Sequence, residues 1–428
     1  MSLRTRYREL RVAARNPIVG VRANRQAGTK QSFLMPKQCY LCHSSSMRDI
    51  GPVERDWSVT TDGQFIRLPL VKAQCTFCGL VQTPQGIDDI FAHLSYRDNY
   101  AFYDRPNMQA FDAPLYRQYS QWVAEHLSEE AKDCRVLEVG CGAAWVLQNL
   151  RKSRPGLHVT GIEPSRSASA AAKQAGIEVV QAMANDPGLG PMHGQFDFVY
   201  SIDVIEHTAD PVGFVRAMAK FARPDGTVCV ICPLGDVVNM ELLFIDHLYT
   251  IRAANLRHIF ELAGLKPIEW SRGPASLKDW QQMTGSASAE AIPISVYGCP
   301  EALMNMRDIH IEQWRMIDSQ LSQRLQNHSE VLCFGAGETS DLMKAVAPQT
   351  WEKIVGHVVD AVEPALRSDT YRNKPLYYMD DPQLGRFDAT LLGVKPHYHK
   401  TLYPRLNSKF AHVVRWDDLV HDRVEVLG

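Results

Sequence analysis

The sequence contains no long hydrophobic run. Its most apolar stretches, such as Gly226 to Pro233, are the size of a strand, far short of the roughly 20 residues needed to cross a bilayer. No positively charged stretch followed by an apolar core opens the chain, so no secretory signal is expected. Charged residues make up only 22% and hydrophobic ones 45%, which excludes a largely disordered, collagen-like or small disulfide-stapled protein. At 428 residues the chain is about three times the usual domain size, so two or three folded units are expected.

The net charge of −2 conceals an asymmetry. Residues 1–37 carry seven Arg and two Lys against the single Glu9, a local +8, and everything after sums to −10. So acidic a body gives no support for a nucleic-acid groove. The basic leader reads either as a flexible tail without chemistry or as an Arg-rich targeting segment.

Of ten cysteines, four are organised. Cys39 and Cys42 form one Cys-x2-Cys and Cys75 and Cys78 another, with 32 residues between the pairs. Small residues follow the second cysteine of each pair, letting the backbone turn so that amides face thiolate sulfur. Two such turns make a closed tetrahedral set, which suits a structural zinc. A redox pair or four buried free thiols are the competing readings, and His43 reads as a solvent-facing neighbour. Cys229 and Cys232 share the spacing but sit in a strand, where residues three apart point to opposite faces. None of this needs an oxidising compartment, so a cytoplasmic location is expected.

From residue 110 helices alternate with short apolar strands. Pro114 to Ala131 has helical spacing, and strands are expected at Arg135–Glu138, His158–Glu163, Glu178–Gln181, Phe196–Ile202 and Thr227–Cys232. Such alternation is that of a doubly wound, mostly parallel sheet, with Pro267–Trp270 and Ile292–Tyr297 as an antiparallel edge. The loop after the first strand reads Glu138-Val-Gly140-Cys-Gly142, and Glu163 ends the second strand 21 residues beyond Gly142. Glycines there allow close approach of backbone to a ligand, and a carboxylate at that strand end accepts ribose hydroxyls. Trp145 replaces the third glycine of a dinucleotide fingerprint, which points to a nucleoside without phosphates. Glu138 suits a cationic one, and S-adenosylmethionine has both properties. Asp203 and His207, in Asp203-Val-Ile-Glu-His207, open into the same pocket as further cofactor-side residues. Together these motifs resemble class I S-adenosylmethionine-dependent methyltransferases over about residues 110–298.

A second glycine turn follows another strand, Val331-Leu-Cys-Phe-Gly335-Ala-Gly337, after a helical stripe over 299–328. The fold expected is therefore α/β: a class I methyltransferase with an N-terminal zinc knuckle and a second, small Rossmann-like C-terminal domain. Its boundaries are placed at 1–35 for the leader, 36–95 for the zinc module, 96–298 for the methyltransferase domain and 299–428 for the last. This order resembles the sugar C-methyltransferases of deoxysugar biosynthesis, which act on nucleotide-linked 4-keto-6-deoxy sugars. Their Tyr-x-Glu-His signature corresponds to Phe244-Ile-Asp246-His247 here, with the tyrosine and glutamate replaced. The resemblance implies His247 as the base, Asp246 as its acidic neighbour, and Tyr249 as the following aromatic. It also implies a substrate-closing role for Tyr96, Tyr100 and Tyr103, which read otherwise as a packing seam. Carbon becomes nucleophilic only once the proton beside a ketone is removed, and a histidine of near-neutral pKa suits that task. The partners implied are S-adenosylmethionine, a zinc ion and a small-molecule acceptor, with no nucleic acid and no membrane. O-methylation of a sugar hydroxyl and a non-catalytic, cofactor-binding scaffold are the alternatives. His397 and His399 read as solvated loop residues, with Lys395 and Lys400 placed to meet phosphate.

Overall fold

The computed structural model describes residues 36–51, 57–66, 68–83, 114–127, 133–286, 298–362 and 367–420, with the backbone of 424–425. The basic leader, the tyrosines at 96, 100 and 103, and the strand expected at 292–297 lie outside the described residues.

The N-terminal unit is built from short strands: β1 (Met47–Asp49), β2 (Ser58–Val59), β3 (Phe65–Ile66), β4 (Ala73–Cys75) and β5 (Val81–Gln82). Its two Cys-x2-Cys turns have the same backbone pattern. Cys39 N–H donates to the Ser44 carbonyl at 2.8 Å and receives His43 N–H on its own carbonyl at 3.1 Å. Cys75 repeats this with Leu80 and Gly79 at 2.9 Å each. The tightest point of each turn is left-handed, with φ 58° at the exposed His43 and 74° at Gly79.

The middle unit runs α1 (Pro114–Ala124), β6 (Arg135–Val139), α2 (Trp145–Ser153), β7 (His158–Ile162), α3 (Arg166–Gln174), β8 (Glu178–Val180), β9 (Phe196–Ile202), α4 (Pro211–Phe221), β10 (Ala222–Pro233), β11 (Val237–Val238), β12 (Tyr249–Thr250), α5 (Ala253–Leu262), β13 (Lys266–Arg272) and β14 (Trp280–Ser286). Seven strands form one sheet in the order β13-β14-β10-β9-β6-β7-β8. Strands β8, β7, β6, β9 and β10 run parallel, β14 runs antiparallel beside β10, and β13 at the edge pairs antiparallel with β14. This is the class I methyltransferase arrangement, whose switch point between β6 and β9 opens a crevice at the carboxyl ends of the strands. Cys229 and Cys232 are buried on opposite faces, in separate core clusters.

One strand escapes a reading by hydrophobic pattern. Trp280–Ser286, next to β10, takes the antiparallel position inside the sheet. It carries Gln281 and Gln282, both fully buried; the Gln281 amide donates to the Ile251 carbonyl at 2.7 Å and that of Gln282 meets the His126 ring. A buried polar side chain with its hydrogen bond made is tolerated.

The C-terminal unit continues with α6 (Glu301–Arg324), β15 (Val331–Phe334), α7 (Glu338–Val346), α8 (Pro348–Glu352), β16 (Ile354–Val359), β17 (Thr370–Tyr371), β18 (Lys374–Tyr378), β19 (Ala389–Leu392), α9 (Pro396–Asn407) and β20 (His412–Val414). The sheet order β17-β18-β16-β15-β19-β20 is doubly wound about β15. A last pair of residues, β21 (Val424–Glu425), returns to pair with β11.

The three units share cores. Val59, Ile66 and Val81 pack in one cluster with Leu242–Ile245 and Leu248 and with Trp314, Ile317 and Leu321 of α6. Moreover, β12 from the middle unit is the edge strand of the N-terminal sheet, ordered β1-β4-β5-β12. Buried Arg307 of α6 completes the junction, donating to the carbonyls of Gly79 at 2.8 Å and Gly235 at 2.7 Å. No helix among the described residues is long and apolar enough to cross a membrane.

Candidate active site

A cleft of about 1190 Å³ lies over the carboxyl ends of the middle sheet. It is bounded on one side by Glu138, Gly140, Gly142 and Glu163, and on the other by Gly335–Glu338 and Lys395 of the C-terminal unit. That volume exceeds the usual 300–1,000 Å³ of a single small-ligand pocket.

At the end formed by the loops after β6 and β7, Gly140 has φ 80° and Gly142 φ 54°. A Cβ on Gly140 would meet Val204 at 2.5 Å, whereas one on Gly142 would project into open space. Gly142 therefore bares backbone to the cleft. The Glu163 carboxylate accepts Gly142 N–H at 2.8 Å and Ser165 N–H at 2.7 Å, which fixes it across the mouth of the turn. Glu138 is buried beneath, and its carboxyl, pushed up to about 8 by burial, accepts the Tyr200 hydroxyl at 3.0 Å. Asp203, held at φ 54°, takes the Tyr119 hydroxyl at 2.8 Å and the Trp280 indole N–H at 2.7 Å.

At the other end stands His247. Its Nδ1–H donates to the Glu241 carbonyl at 3.1 Å, so the lone pair is on Nε2. Burial first, then His207 and Lys72, holds this imidazole well below its ordinary pKa, and it is neutral at pH 7. His207 packs edge-on against it, ring centroids 4.8 Å apart, with its Nδ1–H on the Asp246 carbonyl at 2.8 Å. His207 thus stands with His247 rather than beside the glycine turn.

Asp246 does not line the cleft. Its carboxylate accepts Thr61 N–H at 3.0 and 3.1 Å and the Thr61 hydroxyl at 2.7 Å. The expected acidic neighbour of the base is a tether to the N-terminal unit, and its carboxylate also lies 3.6 Å from His207 Nδ1. Tyr249 likewise faces away: its ring lies 5.2 Å from that of Tyr40, and its hydroxyl donates to the Ala209 carbonyl at 3.1 Å. Lys72 makes a third hold, its buried ammonium donating to the carbonyls of Phe244, at 3.0 Å, and of His247.

Lys395 is a half-buried, ion-paired cation on the cleft wall. It bonds Glu241 at 2.8 Å and Glu338 at 2.7 Å and lies 4.7 Å over the Trp280 ring. The segment Pro396–Asn407 is helical, and His399 is fully buried against Asp417 at 2.8 Å. The loop reading failed there because Pro396 opens a helix instead of breaking one. Glu206, Glu241, Thr61 and Lys72 carried no sequence signal of their own; only Glu206 stood inside a motif, one residue before His207.

The four cysteine sulfurs lie within 4.8 Å of one another, with Cys39–Cys78 and Cys42–Cys75 each at 3.6 Å. A tetrahedral zinc with bonds of about 2.3 Å spaces its sulfurs about 3.8 Å apart. The donor set fits zinc and leaves no position for a substrate.

Residues 109–269 match a family model described as a methyltransferase domain. A ubiquinone biosynthesis O-methyltransferase of Rhizobium johnstonii is 35% identical over 118 residues, 25% of this chain and 47% of that protein. One from Aeromonas salmonicida is 34% identical over 101 residues, 22% of this chain and 42% of that one. The chain thus spans under half the length of these curated relatives. Among solved structures, an S-adenosylmethionine-dependent methyltransferase from Aquifex aeolicus aligns at 18% identity and a TM-score of 0.33, covering 41% of this chain and 92% of that one. Family match and sheet order agree: the middle unit has the class I methyltransferase fold.

Proposed function

We propose that this protein transfers a methyl group from S-adenosylmethionine to a carbon of a nucleotide-linked keto-deoxysugar, with His247 as the base. The observation that carries this reading is a neutral imidazole, its tautomer set by the Glu241 carbonyl, in a cleft that also receives the donor-type glycine turn and the C-terminal unit's own glycine turn.

Bound at the first turn, S-adenosylmethionine supplies an electrophilic methyl. Glu163 is placed to receive its ribose hydroxyls, and Gly140 and Gly142 bare backbone to its tail. Glu138 contributes an acidic floor. Asp203 shapes the wall through Tyr119 and Trp280. The C-terminal turn Gly335–Gly337, with Asp360 after β16, lines the same cleft and receives the nucleotide of the substrate in this proposal. The Cys39, Cys42, Cys75 and Cys78 set holds a structural zinc. Tyr96, Tyr100 and Tyr103 complete the substrate side in this proposal.

Replacing Glu163 with alanine removes charge-assisted hydrogen bonds of about 1.5–3 kcal/mol each. Donor affinity by calorimetry is expected to fall roughly 10- to 100-fold, with the fold intact. Unchanged affinity would place the ribose elsewhere.

The function is tested by incubating the enzyme with a nucleoside-diphosphate 4-keto-6-deoxy sugar in deuterated water, with and without S-adenosylmethionine. One added methyl with donor, and enzyme-dependent deuterium beside the ketone without it, is the expected result. Neither, on a protein that binds the donor, would overturn it. A second reading, methylation of a small-molecule hydroxyl, is favoured by the names of the curated relatives; His247 would then deprotonate the hydroxyl.

A further inference from the structure

We infer that Glu206 is the general acid of this site, carrying a proton that it delivers to the acceptor's carbonyl oxygen while His247 removes the proton from the neighbouring carbon. The inference rests on the keto-sugar reading and adds to it a residue which that reading lacks.

Glu206 lies in the one-turn helix Ile205–His207 at the end of β9 and lines the cleft. It is 2% exposed, yet neither carboxyl oxygen receives a hydrogen bond from any other described residue. One oxygen lies within 4.8 Å of the ligating nitrogens of His207 and His247. A buried, unsatisfied carboxyl costs stability, and such residues concentrate at functional sites.

The surroundings decide its protonation. Asp203 and His207 flank it on its own segment. Tyr119 faces it from α1 and Cys232 from β10, while Glu241, Asp246 and His247 face it from the 240–247 loop. Of the nearby cations, Lys395 is clamped by Glu241 and Glu338, and Lys72 is turned to backbone carbonyls. Burial first, then the Asp203, Glu241 and Asp246 carboxylates, holds the Glu206 carboxyl far above the usual range. Burial drives His247 the opposite way. Two neighbouring groups with their pKa values pushed apart form an acid and base pair at neutral pH. The signature position where the resembled family keeps a tyrosine hydroxyl is here Phe244, buried in the core.

In the donor-free half-reaction the carbon–hydrogen bond beside the ketone breaks. Its proton goes to His247 Nε2 and its electron pair forms the carbon–carbon double bond of an enol. The carbonyl π pair takes the Glu206 proton, leaving carboxylate and imidazolium. Once the imidazolium has exchanged its proton with deuterated water, reversal restores both groups and leaves deuterium on carbon.

Full-length wild type, Glu206→Gln and Glu206→Met are compared with a 4-keto-6-deoxy nucleotide sugar in deuterated water over pH. Metal content and thermal stability are read in parallel. Exchange is expected to fall at least about 100-fold in both variants, with KM for the sugar within about threefold and Tm unchanged or raised. The alkaline limb of the rate profile, which belongs to Glu206 ionisation, disappears while the acid limb stays. Wild-type exchange in the variants overturns the inference alone. No exchange by wild type, with donor and sugar bound, overturns the keto-sugar reading and the inference with it. A metal ion beyond the cysteine-bound one, present in wild type and lost in Glu206→Gln, overturns it in favour of a metal ligand.

Discussion

Alanine at position 247 is expected to cut both deuterium exchange and methyl transfer by about 10²- to 10⁴-fold, the usual contribution of a positioned acid–base group. S-adenosylmethionine affinity should stay within about twofold, because the donor turn is on β6 and β7, outside the 244–250 loop. The separation of the two readouts is the point of the experiment: a misfolded loop or cleft would lower both. Wild-type turnover by His247→Ala would remove the residue from the mechanism.

The pH dependence follows from the direction of the shift. A base works in its neutral form, and His247 is held below the ordinary imidazole value by burial, His207 and Lys72. The rate of the wild-type enzyme is therefore flat from neutral pH down through 6.5 and falls only further into acid. The same shift has a stability counterpart. Below pH 6.5 the unfolded imidazole takes up a proton before the folded one does, so the unfolded state binds more protons and stability declines with acidification. His247→Asn removes that contribution and should tolerate acid better than wild type.

How much of this was legible in the sequence depends on the range of the interaction. The glycine turn, Glu163 and the cysteine pairs are local motifs, and each folds as its spacing implies: β6 into a left-handed glycine, β7 into a carboxylate that grips Gly142, each cysteine pair into a closed turn. The strands of the middle sheet fall within a residue or two of the apolar runs, except Trp280–Ser286, whose buried glutamines hide it, and β10, which starts earlier at Ala222 than its apolar centre. Other features arise from distant residues. The side to which Asp246 turns is set by Thr61, 185 positions earlier. The ion pairing of Lys395 is set by Glu241, and the isolation of the Glu206 carboxyl by the lack of a hydrogen bond to it from any other described residue. No spacing rule reports such pairings, because each depends on how three units pack.

That packing makes the cysteine cluster the most consequential site away from the cleft. Cys75 ends β4, which pairs with β5, and β5 in turn pairs with Tyr249–Thr250 two residues after His247. Thr61 holds Asp246, Lys72 holds the carbonyls of Phe244 and His247, and the Thr83 amide donates to the Leu248 carbonyl at 3.0 Å. His247 is thus carried on a loop whose other side belongs to the cysteine-bearing unit. Structural zinc sites stabilise small units by on the order of 10 kcal/mol in apparent terms, and the N-terminal unit has only short strands to replace that. Cys39→Ser is expected to lose the metal, become poorly soluble and melt on the order of 10 °C lower. At a temperature where the variant is still folded, exchange should drop at least about tenfold while donor affinity, set by Gly142 and Glu163, is retained. Metal analysis, calorimetry and the exchange assay on one preparation check all three. A wild-type chain free of metal would show that the four thiols hold no ion, and a Cys39→Ser chain with wild-type melting and wild-type exchange that the cluster supports neither the fold nor His247.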